Sequence, residues 1–129
     1  MPHLIVEYTD NIKADADIPG LLEKAVEALI RHRDVFPIGG IRARALELHE
    51  YRVADGQADD AFVHATLKIG AGRTEDEIRA AGDDLFSVIQ SHFSDLMKRR
   101  YLALSMEIYE FSRPTYKLSN IHSRFQTRP

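Results

Sequence analysis

The chain has 129 residues, 44% hydrophobic and 29% charged, with a formal net charge of -3 and no cysteine. This fits one soluble globular domain over residues 1–129; it offers no nucleic-acid signature and excludes disulfides, thiolate zinc sites and cysteine nucleophiles. No apolar run nears the ~20 residues of a membrane span and Met1 to Glu7 lacks the basic stretch and apolar core of a secretory signal, so the expected compartment is the cytoplasm.

Leu4 to Tyr8 reads as a short strand, followed by a turn signal at Asp10-Asn11. Asp17 is placed to cap a helix that tolerates Pro19 in its first turn. Leu22, Ala25, Val26 and Leu29 recur at helical spacing, which carries that helix to about His32. Phe36-Pro37-Ile38-Gly39-Gly40 breaks it, and Ile41 to Val53 reads as a long strand. The segment from Ala54 to Asp59 contains an Asp-Gly turn pair and reverses the chain.

The pattern then repeats. Ala61 to Ile69 is a strand, and Gly70-Ala71-Gly72 a tight connection. Thr74 and Glu77 have capping-box spacing. Ile78, Ala81, Leu85, Ile89 and Phe93 form one face of a longer helix, and Leu102 to Phe111 is a fourth strand. Beyond it Pro114 ends the regular structure, leaving a tail over about 113–129. That tail holds Arg113, Lys117, Arg124 and Arg128 and no acid, so it carries +4 against -7 for the rest. It reads as solvated, or lying on an acidic neighbour.

Each half has a helix long enough to cross over and set its two strands parallel. The expected fold is therefore α+β: a four-stranded mixed sheet with two helices on one face, in a ferredoxin-like arrangement. On the last strand Leu102, Leu104, Met106 and Ile108 face one way. Ala103, Ser105, Glu107, Tyr109 and Phe111 face the other. That second face reads as too apolar for water, which predicts subunit packing against it.

Several residues carry candidate chemistry. Removal of Met1 is expected to leave Pro2 with a free secondary amine, which becomes a general base once burial and nearby positive charge lower its pKa. Met-Pro by itself is a common beginning and does not identify a base. Arg42 and Arg44 share a strand face. Arg73 stands at the start of the second helix, where backbone N–H groups favour anions and a guanidinium matches a carboxylate. Strand arginines are also commonly solvated or paired with acids such as Glu47 and Glu50. Gly70-Ala71-Gly72-Arg73 lacks the third glycine of a dinucleotide loop and the Gly-Lys-Ser/Thr of a P-loop, which leaves a turn. The histidines at 3, 32, 49, 64, 92 and 122 show no metal-ligand spacing, so no metal is expected; His49 and His64 read as strand residues.

Taken together the segments resemble the tautomerase superfamily and, within it, the 5-carboxymethyl-2-hydroxymuconate delta-isomerase family. The resemblance rests on Pro2-His3-Leu4-Ile5-Val6-Glu7, Phe36-Pro37-Ile38-Gly39-Gly40-Ile41-Arg42, Ala54-Asp55-Gly56-Gln57, the block from Ala61 to Arg73, Leu102 to Ile108, and Asn120-Ile121-His122. It covers nearly the whole chain, with the central block its most specific part; Arg31 to Val35 and the residues after Phe125 are less family-like. It implies a homotrimer of βαββαβ subunits, no cofactor, and a role in homoprotocatechuate (4-hydroxyphenylacetate) catabolism. Pro2 is then the proton carrier, Arg73 a catalytic arginine and Arg42 a substrate-binding one, with Arg44 less firmly placed. Two alternatives stay open on the residues alone: a tautomerase of another enol acid of phenylpyruvate type, and a ferredoxin-like binding module without activity.

Overall fold

A computed structural model describes residues 1–126. Its elements are β1 (His3–Thr9), α1 (Lys13–Ala16), α2 (Ile18–Ile30), β2 (Arg42–Leu48), β3 (Ala61–Gly70), α3 (Glu75–Arg99) and β4 (Leu102–Phe111). Short 3-10 turns occupy Asp10–Ile12, Ile38–Gly40 and Ile121–Phe125.

Local chemistry sets the helix starts. Asp17 adopts the left-handed conformation, at φ 45°, which separates α1 from α2, and its carboxylate accepts from the Gly20 amide. Thr74 and Glu77 form a reciprocal capping box on α3: Thr74 Oγ1 accepts from the Glu77 amide and Glu77 Oε1 from the Thr74 amide. Three acids in the first turn of α3 and Lys98 with Arg99 in its last turn match the helix dipole. The helix α2 stops at Ile30, two residues short of the expected end. There Arg31 donates to Asp84 Oδ1 at 2.7 Å and His32 Nε2 lies 3.0 Å from Asp84 Oδ2, tying the turn to α3.

The four-stranded mixed sheet has the order β2-β1-β3-β4. β1 runs parallel to β2 and antiparallel to β3, and β3 runs parallel to β4. Each crossover therefore joins direct neighbours. The element order is that of a ferredoxin-like chain, whereas a split βαβ unit interleaves a strand. The edge strand β2 ends at Leu48 and not at Val53, because its one partner, β1, ends at the pair Thr9↔Leu48. His49 thus lies off the strand. Beyond the ladder, the Tyr51 hydroxyl donates to Asp10 Oδ1 at 2.8 Å and His49 Nδ1 lies 2.9 Å from Asp10 Oδ2.

One buried cluster unites Leu4, Val6 and Tyr8 of β1 with alternate residues of β3, with Leu21, Ala25 and Leu29 of α2, and with Leu85, Ile89 and Phe93 of α3. Leu104, Met106 and Ile108 of β4 pack against it. The opposite sheet face is more polar than β4 alone suggested. Phe62 and the half-exposed Leu46 and Tyr109 alternate there with His3, Arg44, Glu7, Lys68 and Glu107. No helix among the described residues is long and apolar enough to cross a membrane.

The tail does not simply run into solvent. Its 3-10 turn at Ile121–Phe125 packs on the one at Ile38–Gly40. His122 lies so close over Gly39 that a Cβ there would stand 2.6 Å from its Nδ1. Arg128, read with the basic tail, lies outside the described residues.

Candidate active site

β1 is an inner strand, so its amino end opens between β2 and β3. Pro2 is buried there, and its carbonyl accepts from the Arg42 amide at 3.0 Å. The pairs His3↔Arg42 and His3↔Lys68 bring the start of β2 and the end of β3 to the same level. Beyond β3, Gly72 at φ 117° turns the chain toward α3, and the Ala71 amide bonds the Phe111 carbonyl at 2.9 Å. The glycine pair therefore serves a strand-to-helix turn, with Arg73 at its exit.

A cleft of about 370 Å³ lies at this end. Met1, Ala71, Arg73, Arg113, Thr115 and Lys117 are among its walls. The Arg73 guanidinium is fixed by donation from Nε to the Val35 carbonyl and from Nη1 to the Gly70 carbonyl, both at 3.0 Å. It stacks 4.8 Å from the centroid of the fully buried Phe36 ring. These contacts leave N–H donors of the guanidinium for a ligand. Arg42 is held differently: Nη1 donates to the carbonyls of Gly39 at 2.8 Å and Ile41 at 3.1 Å. Its side chain does not line the cleft, although its charge reaches it.

Burial and the surrounding cations favour a neutral amine at this end of the sheet. The terminal amine, carried by Met1 in this chain, is pushed below its ordinary value first by burial, then by the charges of Arg73, Lys117 and Arg42. Among the described residues no ion pair involves Arg42, Arg73, Arg113 or Lys117. A cleft with several cations and no paired carboxylate is built to receive acid groups.

Arg44 is placed elsewhere. It lines a second recess of about 370 Å³ on the outer sheet face with His3, Lys68 and Tyr109. Its Nη1 lies 3.1 Å from His3 Nδ1. Burial, and then Arg44 and Arg42, lower the His3 pKa, so a neutral imidazole accepts from Arg44. The two recesses adjoin through Phe111, Arg113 and Thr115. Among the described residues no group of three or more His, Cys, Asp or Glu is arranged to hold a metal ion.

The structure thus places Met1, the neighbour of the buried Pro2, in one cleft with Arg73, leaves Arg42 outside the cleft walls, and sets Arg44 in a separate recess. Lys117 and Phe36 are the residues that sequence reasoning missed. The acid-free run of tail cations was the available signal for Lys117, and it pointed to solvent instead of the cleft.

Comparison with known proteins gives a consistent result. A family model described as 5-carboxymethyl-2-hydroxymuconate isomerase matches residues 2–125. The chain is 48% identical over 128 residues to the 5-carboxymethyl-2-hydroxymuconate Delta-isomerase of Escherichia coli, covering 98% of this chain and 100% of that protein. It superimposes on the crystal structure of a 5-carboxymethyl-2-hydroxymuconate isomerase from Deinococcus radiodurans R1 with a TM-score of 0.93 and 49% identity, over 98% of this chain and 95% of the other. A symmetric trimer of wild-type fused 4-OT shares the fold at a TM-score of 0.65 and 18% identity, with 92% of each chain covered. The matched span, the two close relatives and the cationic cleft at the start of β1 together show that the chain belongs to the 5-carboxymethyl-2-hydroxymuconate isomerase family.

Proposed function

We propose that this protein isomerises 5-carboxymethyl-2-hydroxymuconate to its 2-oxo-3-ene form, in the cytoplasmic breakdown of homoprotocatechuate, with Pro2 as the proton carrier once Met1 is removed. The supporting observation is the cleft at the amino end of β1, where burial and the charges of Arg73, Lys117 and Arg42 hold the terminal amine below its ordinary pKa. Removal of Met1 moves the free amine one residue inward, to the nitrogen of the buried Pro2, where the same kind of burial and charge would favour the neutral form that accepts a proton.

In this reading neutral Pro2 takes the proton of the dienol 2-hydroxyl. The electron pair moves along the chain, C2–O becomes a carbonyl, and the double bond settles between C3 and C4. Pro2 then returns the proton to C5. No electron leaves the substrate, so the balance needs no redox partner. Arg73, its guanidinium fixed on Phe36, stabilises the dienolate as charge develops. Arg42 contributes its charge to substrate binding. A single-carboxylate enol of phenylpyruvate type leaves part of this cation set without a partner, so the cleft favours the polyacid.

We further infer a subunit with both helices covering one sheet face, and a homotrimer in which the other faces meet. The trimeric fused 4-OT of the same fold supports this assembly. Light scattering should then give about three times the chain mass, by the closed symmetry such subunits adopt; a stable monomer at micromolar concentration counts against it. The activity itself is tested by intact mass and a ketonisation assay. Protein that begins at Pro2 should turn over the dienol, and protein with an acylated terminus should not. Undiminished turnover by the acylated form would sink the mechanism.

A further inference from the structure

The outer cleft wall opposite Arg73 comes from the tail, a segment that the βαβ units do not require. After β4 the chain passes Arg113 and Thr115 and places Lys117 beside Met1 and Arg73. It then anchors: the Ile121–Phe125 turn docks on the Ile38–Gly40 turn, with His122 against Gly39. The Gly39 carbonyl in turn accepts from Arg42 at 2.8 Å. One contact therefore fixes both the tail and the backbone that holds Arg42.

We propose that Lys117 is a specificity-determining residue that binds a third carboxylate of the substrate. The geometry separates the cations by role. Arg73 points into the cleft from a rigid perch, whereas Arg42 spends Nη1 on two carbonyls and lies outside the walls. Lys117 lines the cleft, has no ion pair among the described residues, and acts on the terminal amine more strongly than Arg42 does. Arg113 lines both recesses and is not among the charges that act on that amine. An ammonium on a flexible stem offers a mobile point charge, suited to a carboxylate on a short side arm. A muconate has two terminal carboxylates, and a carboxymethyl group adds the third. The reactant and its count of three carboxylates rest on the function proposed above; the placement of Lys117 in the cleft does not.

The test is equilibrium binding of two inert saturated acids, tricarballylate with three carboxylates and glutarate with two, measured by calorimetry. Wild-type protein should bind the tricarboxylate more tightly. Lys117→Met should weaken the tricarboxylate by about 10- to 100-fold, the range for loss of a charge-assisted hydrogen bond, and change glutarate by less than about threefold. Lys117→Arg should restore most of the preference. Lys117 is exposed, so its replacement leaves the core untouched. Equal loss for both acids, an unchanged ratio in Lys117→Met, or no preference in the wild type each overturns the assignment. Turnover of the dienol is scored separately: Lys117-dependent binding without turnover refutes the isomerase, and turnover with Lys117-independent binding refutes this inference alone.

Discussion

Gly39→Ala tests how the tail is held. Gly39 does not occupy the left-handed region, so alanine fits the backbone, and the three atoms nearest the new Cβ all belong to His122. The new Cβ would sit 2.6 Å from His122 Nδ1, 3.0 Å from Cγ and 2.9 Å from Cα. Against an ordinary carbon contact of about 3.5 Å, the deficit is about 0.5–0.9 Å. A different His122 rotamer removes the ring contacts and not the one to Cα, so the tail backbone itself must shift. Misplacement near 1 Å in a binding site can cost on the order of 100-fold. Because Lys117 rides on the same segment, tricarballylate binding and kcat/KM should each fall about 10-fold or more. The midpoint of thermal unfolding should move little, since the tail can yield and Gly39–His122 lies outside the main cluster. Adding His122→Ala should recover part of the loss, as two of the three close contacts disappear. Wild-type binding and kinetics in Gly39→Ala would show that the tail position does not matter to the site.

Other consequences are sharper in chemistry. Arg73→Ala should lower kcat about 100- to 1000-fold, as removal of a donor to a developing oxyanion does; Arg42→Ala should act mainly on KM, and Arg44→Ala should stay near wild type in a steady-state assay. In protein that begins at Pro2, kcat/KM should rise with pH through the titration of the amine and level off above it, because only the neutral form accepts a proton. Arg73→Ala should move that rise to higher pH, since Arg73 is the strongest of the charges that depress the amine. The same depression has a sign for folding: between the folded pKa and the higher unfolded value the unfolded chain binds more protons, so this group adds stability as pH climbs through that window. Thr74→Ala removes the cap of α3 and should cost ~0.5–2 kcal/mol, read from the denaturation midpoint.

Elements whose signals are local were readable in the sequence. The Asp17 cap, the Thr74–Glu77 box and the alternation of Leu102 to Phe111 all appear where the residues place them. What depends on a distant partner was not. The end of β2 is set by where β1 stops, information absent from the β-forming run that continues to Val53. The polarity of the outer face could not be judged from β4 because, Glu107 apart, the charges named there come from β1, β2 and β3. The site divides in the same way. Pro2 and Arg73 were candidates on the residues alone and took roles only through a family likeness, since neither Met-Pro nor a lone arginine at a helix start is specific. For Lys117 the acid-free tail was a signal without a destination: the residue reaches the cleft on a tail that doubles back to Gly39.

The strand order β2-β1-β3-β4 contains its own mirror. Reading outward from the antiparallel β1–β3 pair, each half is a strand, a helix and a parallel neighbour, so the subunit has the layout of a duplicated unit with an approximate dyad. The counterpart of Pro2 is the entry to β3. There Asp60, Ala61, Leu102 and Ala103 line a recess of about 500 Å³ with Tyr101 and Val53. The approximate dyad thus relates two mouths, of which the second has no arginine or lysine among its walls, and a polypeptide has only one amino terminus. At the second mouth the nitrogen of Ala61 is an amide and donates to the Tyr101 carbonyl at 3.1 Å. Duplication can copy a fold, its strand ends and its helix starts; it cannot copy a free amine. On the proposed mechanism, two such sites per pair of units require two chains, and a fused pair leaves one mouth without a base.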